Sequence, residues 1–225
     1  VTEALCFLNP LNALPGVRAG WVGRVGGVEA TLDRDETLAR LRPMHESVVK
    51  REHGRDCWWR AEQVHGKGVA VVPGSATAMA GDGLPMVPGV DGLVTATPGE
   101  LLGIYVADCG AIWLADRGSG AVGLLHSGKK GTELGILGEA IDLMGRQFGT
   151  RPADLVVVLG PCIRPPHYEV DFAAEIARQA ARAGVGEFHD EGHDTACDLG
   201  RHYSYRMEKG RTGRMLALIQ RERSS

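Results

Sequence analysis

Short apolar runs rich in Val, Ile, Leu and aromatic residues, divided by Gly-rich turns and a few helical stretches, predict a layered α+β or α/β fold. Three such runs fall within Leu101 to Thr132, LLGIYVADCGAIWLADRGSGAVGLLHSGKKGT, and each reads as a strand. A fully apolar run, DLVVVL at Asp154–Leu159, reads as a strand buried on both faces. The 32 glycines suit many tight turns better than a helix bundle. At 225 residues the chain is long enough for a sizeable core, as one domain or two closely fused halves.

In chain order, residues 17–24 (VRAGWVGR) read as a first strand ahead of the Gly26-Gly27 turn. Thr31 to Lys50 reads as a helix capped by Thr31 or Asp33, with Leu32, Leu38, Leu41 and Val48 as an irregular apolar stripe. Pro43 within it predicts a kink or a division into two short helices. Cys57–Val64 and Gly68–Val72 read as strands about the turn His65-Gly66-Lys67, and Asp91–Ala96 as another. Pro73–Gly89, rich in Gly, Pro, Ala and Ser, reads as a mobile loop. Thr132–Phe148 is the clearest helix: Thr132 caps it, Leu134, Leu137, Ile141 and Met144 share a face, and Gly149 ends it. Ala173–Ala183 reads as a short helix and Gly184–Gly200 as polar and irregular, before strands at His202–Arg206 and Met215–Ile219.

Composition narrows the function classes. Hydrophobic residues at 44% and charged residues at 24% are ordinary for a globular protein. A net charge of −3, with no Lys/Arg block longer than a pair, gives no reason to expect nucleic acid. No apolar run reaches the roughly 18–20 residues of a membrane span. The start, VTEALCFLNPLNALPG, has no basic stretch ahead of its apolar part, so no secretory leader is expected. Cys6, Cys57, Cys109, Cys162 and Cys197 are odd in number and form no CxxC pair. That pattern points to a reducing compartment, and the cytoplasm is the expected location.

Reactive side chains gather at predicted strand ends. Ala107-Asp108-Cys109 closes the first central strand, His126-Ser127-Gly128 closes the third, and His65 follows Glu62-Gln63-Val64. Two imidazoles and a thiol suit a three-ligand zinc site with an open fourth position, Asp91 and Asp108 being available to orient an imidazole. The same residues suit a Cys–His dyad, with Cys109 as nucleophile. They also suit no chemistry at all, as ordinary polar residues at strand ends. Eight histidines with no His-x-His pair make a multinuclear copper site hard to build. The HSGKKGT turn offers Lys129, Lys130 and a helix start as an anion cradle, without a GxxxxGK[ST] or GxGxxG pattern. Tyr168-Glu169, Arg206 and Arg214 are candidates for a polar cleft. His189, His193 and Cys197, among Asp190, Glu191 and Asp194, are a weaker metal candidate, and His45 and His53 are expected to be solvated.

Several motifs in this order resemble the laccase-domain family, also called multi-copper polyphenol oxidoreductase or YfiH-like proteins. They are Glu62-Gln63-Val64-His65-Gly66, Asp91-Gly92-Leu93-Val94-Thr95, Ala107-Asp108-Cys109, His126-Ser127-Gly128, Gly160-Pro161-Cys162-Ile163 with Tyr168-Glu169-Val170, and Tyr203-Ser204-Tyr205-Arg206 with Thr212-Gly213-Arg214-Met215. The resemblance implies one laccase-like domain over 1–225, an αββα-type layered fold with mixed sheets, and zinc on His65, Cys109 and His126. It implies phosphorolysis of adenosine, inosine, guanosine or methylthioadenosine, with adenosine deamination as a side activity. Purine nucleoside and phosphate are then the partners. Cys109, His65, His126 and Asp108 would form the catalytic group, and Arg24, Gln63, Lys129, Lys130, Tyr168, Glu169 and Arg206 would bind substrate and phosphate. The alternatives are a cysteine-dependent hydrolase, a polyphenol oxidase-type oxidoreductase and a non-catalytic zinc-binding paralogue.

The chain departs from that family at three places. Lys129 and Lys130 stand where the family has Trp and Arg, which keeps charge but removes a stacking surface and a bidentate fork. A Ser-Leu-Asn-Leu segment is missing after the first strand, and Pro166-His167 replaces small or Cys residues before Tyr168.

Overall fold

The computed structural model describes residues 6–31, 33–75 and 77–223. Leu32, expected in the first helix's stripe, lies outside the described residues, as do residues 1–5 of the segment read for a leader. The strands are β1 (Val17–Val22), β2 (Trp59–Ala61), β3 (Val69–Val71), β4 (Ala78–Met79), β5 (Pro85–Val87), β6 (Gly92–Thr95), β7 (Leu101–Val106), β8 (Gly110–Asp116), β9 (Val122–Ser127), β10 (Leu155–Leu159), β11 (Glu187–Asp190) and β12 (Met215–Arg221). The helices are α1 (Asn9–Asn12), α2 (Arg34–His53), α3 (Lys129–Glu133), α4 (Ile136–Phe148) and α5 (Phe172–Ala183).

Two six-stranded sheets result, β1-β12-β7-β2-β5-β4 and β11-β10-β8-β9-β6-β3. Both are mixed: β2 is parallel to β7 and β5 while β12 is antiparallel to its two neighbours, and β10 is parallel to β11 but antiparallel to β8. Strand alternation separates three apolar clusters. Ala19, Trp21, Ile104, Trp113, Val158 and Ala217 belong to the cluster between the sheets. Ile112, Leu125 and Val157 face the other way and pack with Leu137, Met144, Phe172 and Ile176 of α4 and α5. Leu216, Leu218 and Leu101 pack with Leu38 and Val49 of α2. The layers are therefore α2, first sheet, second sheet, then α4 with α5, which is the αββα arrangement expected. Phe7 joins the inner cluster edge-on to Trp113, their rings 5.9 Å apart.

Several elements differ from expectation for local reasons. Pro43 does not divide α2, which runs 20 residues from its Asp33 cap, whose Oδ1 accepts from Glu36 N at 2.7 Å. Pro43 and Ala39 are both exposed, so the carbonyl that loses its donor meets water. Thr132 is not a cap. Gly135 takes a left-handed φ of 80° and splits the expected helix into α3 and α4, while the Thr132 hydroxyl sits 2.8 Å from Ser127 Oγ. The expected mobile loop contributes β4 and β5, and its Asp82 forms a buried ion pair with Arg60. The polar 184–200 segment contributes β11. His202–Arg206 forms turns rather than a strand, held by Glu208 N donating to Ser204 O at 3.0 Å and Gly210 N to Tyr205 O at 2.9 Å. No helix among the described residues is long and apolar enough to cross a membrane.

His45 and His53 are buried rather than solvated. His45 packs 5.7 Å from the Tyr105 ring, and neither of its nitrogens has a hydrogen-bond partner among the described residues. Burial pushes its pKa down to about 4; burial also takes His53 down to about 4, against a hydrogen bond with Gln220. The unfolded chain takes up these protons near the ordinary value of about 6.5, and the folded chain does not until about 4. Stability is therefore fully present above 6.5 and falls as pH drops through this window, by up to about 3 kcal/mol for each histidine. Urea unfolding between pH 7 and 4 should show this decline, and His45→Leu should flatten part of it. An unchanged slope in that variant would remove His45 as the cause.

Candidate metal centre

The chain crosses between the two sheets at 62–68, from β2 to β3, and at 107–109, from β7 to β8. Each crossover carries a side chain that could hold a metal ion: His65 on the first, Cys109 on the second. His126 comes from the end of β9 beside them. Donor atoms of His65, Cys109 and His126 lie within 4.8 Å of one another, and the two imidazoles meet edge-on with centroids 4.8 Å apart. Sharp crossovers demand unusual backbone: Gln63, His65 and Asp108 have φ of 66°, 60° and 77°, the left-handed region that non-glycine residues rarely adopt.

Asp91, fully buried at the start of β6, holds the first crossover in place. Its Oδ1 accepts from His65 N at 2.8 Å and its Oδ2 from Gly66 N at 2.7 Å and Val64 N at 3.2 Å. Oδ1 also lies 2.9 Å from His126 Nδ1, which leaves Nε2 of that ring to act as a ligand. Burial pushes the Asp91 carboxyl up, but the hydrogen bonds from His126, Gly66 and His65 outweigh it and hold the group below the ordinary carboxylate range. Cys109 shows the same contest. Burial raises its thiol, while the charge and hydrogen bond of His126, with those of His65, bring it down to about 6. The thiolate and Asp91 in turn draw His126 upward against burial. Gly128 admits the sulfur closely: a Cβ there would lie 2.5 Å from Cys109 Sγ.

The three donors border a cavity of about 1040 Å³, lined also by Arg34, Tyr105, Asp108, Lys129, Lys130, Tyr168, Phe172, Tyr205, Arg206, Lys209 and Arg214. Of the residues singled out in the sequence, Gln63, Lys129, Lys130, Tyr168 and Arg206 line it, and Arg24 and Glu169 do not. Gln63 is engaged with backbone: its Nε2 donates to Tyr105 O at 2.6 Å and its Oε1 accepts from Tyr105 N at 3.0 Å, so it continues the pairing of β2 with β7. Asp108 likewise positions other groups, its carboxylate accepting from Thr195 Oγ1 at 2.8 Å and Arg206 N at 2.7 Å. Arg24 pairs with Glu208 at 2.6 Å and stacks on Tyr203, bracing the turn beneath. Glu169 pairs with Arg206 at 2.8 Å, and Arg206 lies 4.9 Å over the Tyr168 ring.

Arg34 is a cavity residue that the sequence reading missed. A cation in the first turn of a helix opposes the helix dipole, and this was the available signal. Its Nη1 donates to Glu62 O at 3.1 Å. Arg214 is fixed by Thr212 O and Gly213 O at 3.0 and 2.9 Å. Burial lowers the pKa of both guanidiniums, with the charge of Arg60 adding to this at Arg34 and that of Arg34 at Arg214. Like charges on one partly desolvated wall are relieved by an anion between them.

The model of the family described as "Multi-copper polyphenol oxidoreductase laccase" matches residues 15–180 and 170–222. A Deinococcus radiodurans protein named purine nucleoside phosphorylase is 35% identical over 234 residues, 87% of this chain and 86% of that protein. Purine nucleoside phosphorylase YlmD of Geobacillus stearothermophilus is 34% identical over 197 residues, 73% of this chain and 72% of the relative. The crystal structure of that YlmD superposes with a TM-score of 0.79 at 28% identity, covering 99% of this chain and 98% of its own. Bacillus licheniformis YfiH, at 23% identity and a TM-score of 0.76, shares the fold over 91% of this chain and 92% of its own. With both crossovers inside the matched region, the chain belongs to the multi-copper polyphenol oxidoreductase laccase family.

Proposed function

We propose that this protein is a zinc-dependent purine nucleoside phosphorylase. One observation carries the reading: His65, Cys109 and His126 converge at a cavity whose other walls present Arg34, Arg214 and further cations. The names of the relatives at 34–35% identity support the same activity. The donor set fits a single zinc better than multinuclear copper, since only two imidazoles meet here among the described residues. His65, Cys109 and His126 would hold the zinc, which would supply Lewis acidity.

The protein's own groups account for the rest. Asp91 keeps His126 in the tautomer that ligates through Nε2, and the lowered Cys109 thiol ligates as thiolate near neutral pH. Arg34 and Arg214 bind phosphate, with Lys129 and Lys130 adding charge at the rim. Tyr168 and Phe172, edge-on with centroids 5.9 Å apart, offer an aromatic wall to the purine. A phosphate oxygen forms a bond to ribose C1′ while the C1′–N9 bond breaks, its electron pair leaving with the base, which takes up a proton. Ribose 1-phosphate and free base are the products.

The deciding experiment measures base release from inosine, adenosine, guanosine and methylthioadenosine with and without phosphate. Turnover should require phosphate, yield ribose 1-phosphate and vanish in Cys109→Ala. Base release that ignores phosphate, in zinc-free protein and blocked by iodoacetamide, would establish a cysteine-dependent hydrolase instead. Inosine formed from adenosine without phosphate would report the deaminase side activity.

Two substitutions test the parts separately. Asp91→Asn should weaken zinc retention or activity by about 10- to 100-fold, read by metal analysis after dialysis against a chelator. Arg34→Gln removes a charged hydrogen-bond donor worth about 1.5–3 kcal/mol, and should raise the KM for phosphate far more than that for nucleoside. Equal changes in both would place Arg34 outside the phosphate subsite.

A further inference from the structure

A second group of metal-binding side chains lies outside the cavity. His167 sits on the loop after β10, and Asp194 and Cys197 on the turns that follow β11. One donor atom from each lies within 4.8 Å of the other two. The sequence pointed to His189 and His193 in this region, but those rings turn to Glu187 and Glu191, at 2.5 and 2.8 Å. His167, distant in sequence, takes their place.

The arrangement distinguishes two chemistries. His167 Nδ1 is 2.8 Å from Asp194 Oδ2 and 3.9 Å from Cys197 Sγ. A Cys–His–Asp relay needs the thiol on one ring nitrogen and the carboxylate on the other. Here both approach Nδ1, so the group is not arranged as a relay, and three donors converge on one point. The support for these donors is independent of them. Asp194 is aimed by its other oxygen, Oδ1, which accepts from Ala196 N at 3.0 Å and Arg164 N at 3.3 Å. The two segments are also joined through backbone, with Cys162 N donating to His193 O at 3.2 Å and Thr195 N to Cys162 O at 3.3 Å. The donors are thus brought together before any ion arrives, which lowers the ordering cost of binding.

We propose that His167, Asp194 and Cys197 form a second site for a divalent transition metal of the zinc class. An imidazole, a carboxylate and a thiolate give two negative charges against a dication, in the borderline-soft set that zinc accepts and magnesium or calcium does not. Cys197 is exposed, so the fourth position opens to water. The ion staples the loop carrying Tyr168 to the turn whose Thr195 bonds Asp108, and so stiffens one wall of the cavity. This site stands whether or not the chemistry proposed at Cys109 is right.

The test uses the full chain, stripped of metal under reducing conditions and titrated with Co²⁺ and with Zn²⁺. Wild type should bind one ion per chain more than Cys197→Ser or His167→Ala does. In a Cys109→Ala/His126→Ala background one Co²⁺ should remain, with a thiolate-to-cobalt charge-transfer band and a zinc-dependent rise in Tm. Both signals should disappear when Cys197→Ser is added. Uptake of one ion by wild type, unchanged in Cys197→Ser and His167→Ala, overturns the proposal. So does residual cobalt in the double variant whose spectrum is indifferent to Cys197. If the double variant does not fold, the stoichiometry of the two single variants decides alone.

Discussion

The buried carboxylate of Asp91 accepts hydrogen bonds from three successive backbone amides, of Val64, His65 and Gly66, and touches the imidazole of His126. Everything else at the site depends on this. The amides belong to a crossover between two sheets and have no strand partner of their own, and the carboxylate takes the place of one. The left-handed backbone of Gln63 and His65 is tolerable because four donors on one acceptor over-determine the turn. A single residue thus satisfies a crossing, offsets its strain and fixes the tautomer of the His126 imidazole.

The second crossover follows the same logic from the other side. Asp108, left-handed between β7 and β8, uses both carboxylate oxygens to hold segments more than eighty residues further on, at Thr195 and Arg206. Cys109 is therefore displayed by a residue that also ties down the opposite wall of the cavity. The site lies on the seam between the sheets because only there does the chain leave one ladder for another, freeing side chains and backbone to turn inward.

How much of this is legible in sequence divides along physical lines. The strands at 101–106, 110–116, 122–127 and 155–159 are buried on both faces and read directly as continuous apolar runs. Edge strand β4 is only two exposed residues long and β11 is short and largely polar, and only their neighbours make them strands. Gly135 broke a pattern that periodicity alone extends across it. At the site, His65, Cys109 and His126 were legible from residue type and position at strand ends, and Asp91 as a group to orient an imidazole. The role of Gln63 was not, because an amide standing in for a strand partner has no pattern of its own. Arg34 and His167 were not, because each reaches its site through tertiary placement that no local spacing encodes.

The position of β12 has a consequence for how the protein is made. It lies between β1 and β7 in the first sheet, pairing with both along its length. The second sheet has all its strands once residue 190 has been synthesised, but the first remains split until 215–221 emerge. For the intervening seconds of translation, at about 5–20 residues per second, β1 and β7 lack the backbone partner that β12 gives each of them, and their unpaired N–H and C=O groups form open edges on the nascent chain. Arg206 and Arg214 arrive in that same late interval, so the cavity is completed only as the sheet closes. Completion of the cavity and closure of the sheet are thus one event in the birth of the molecule, and a ribosome stalled before it would hold a sticky, half-zipped intermediate.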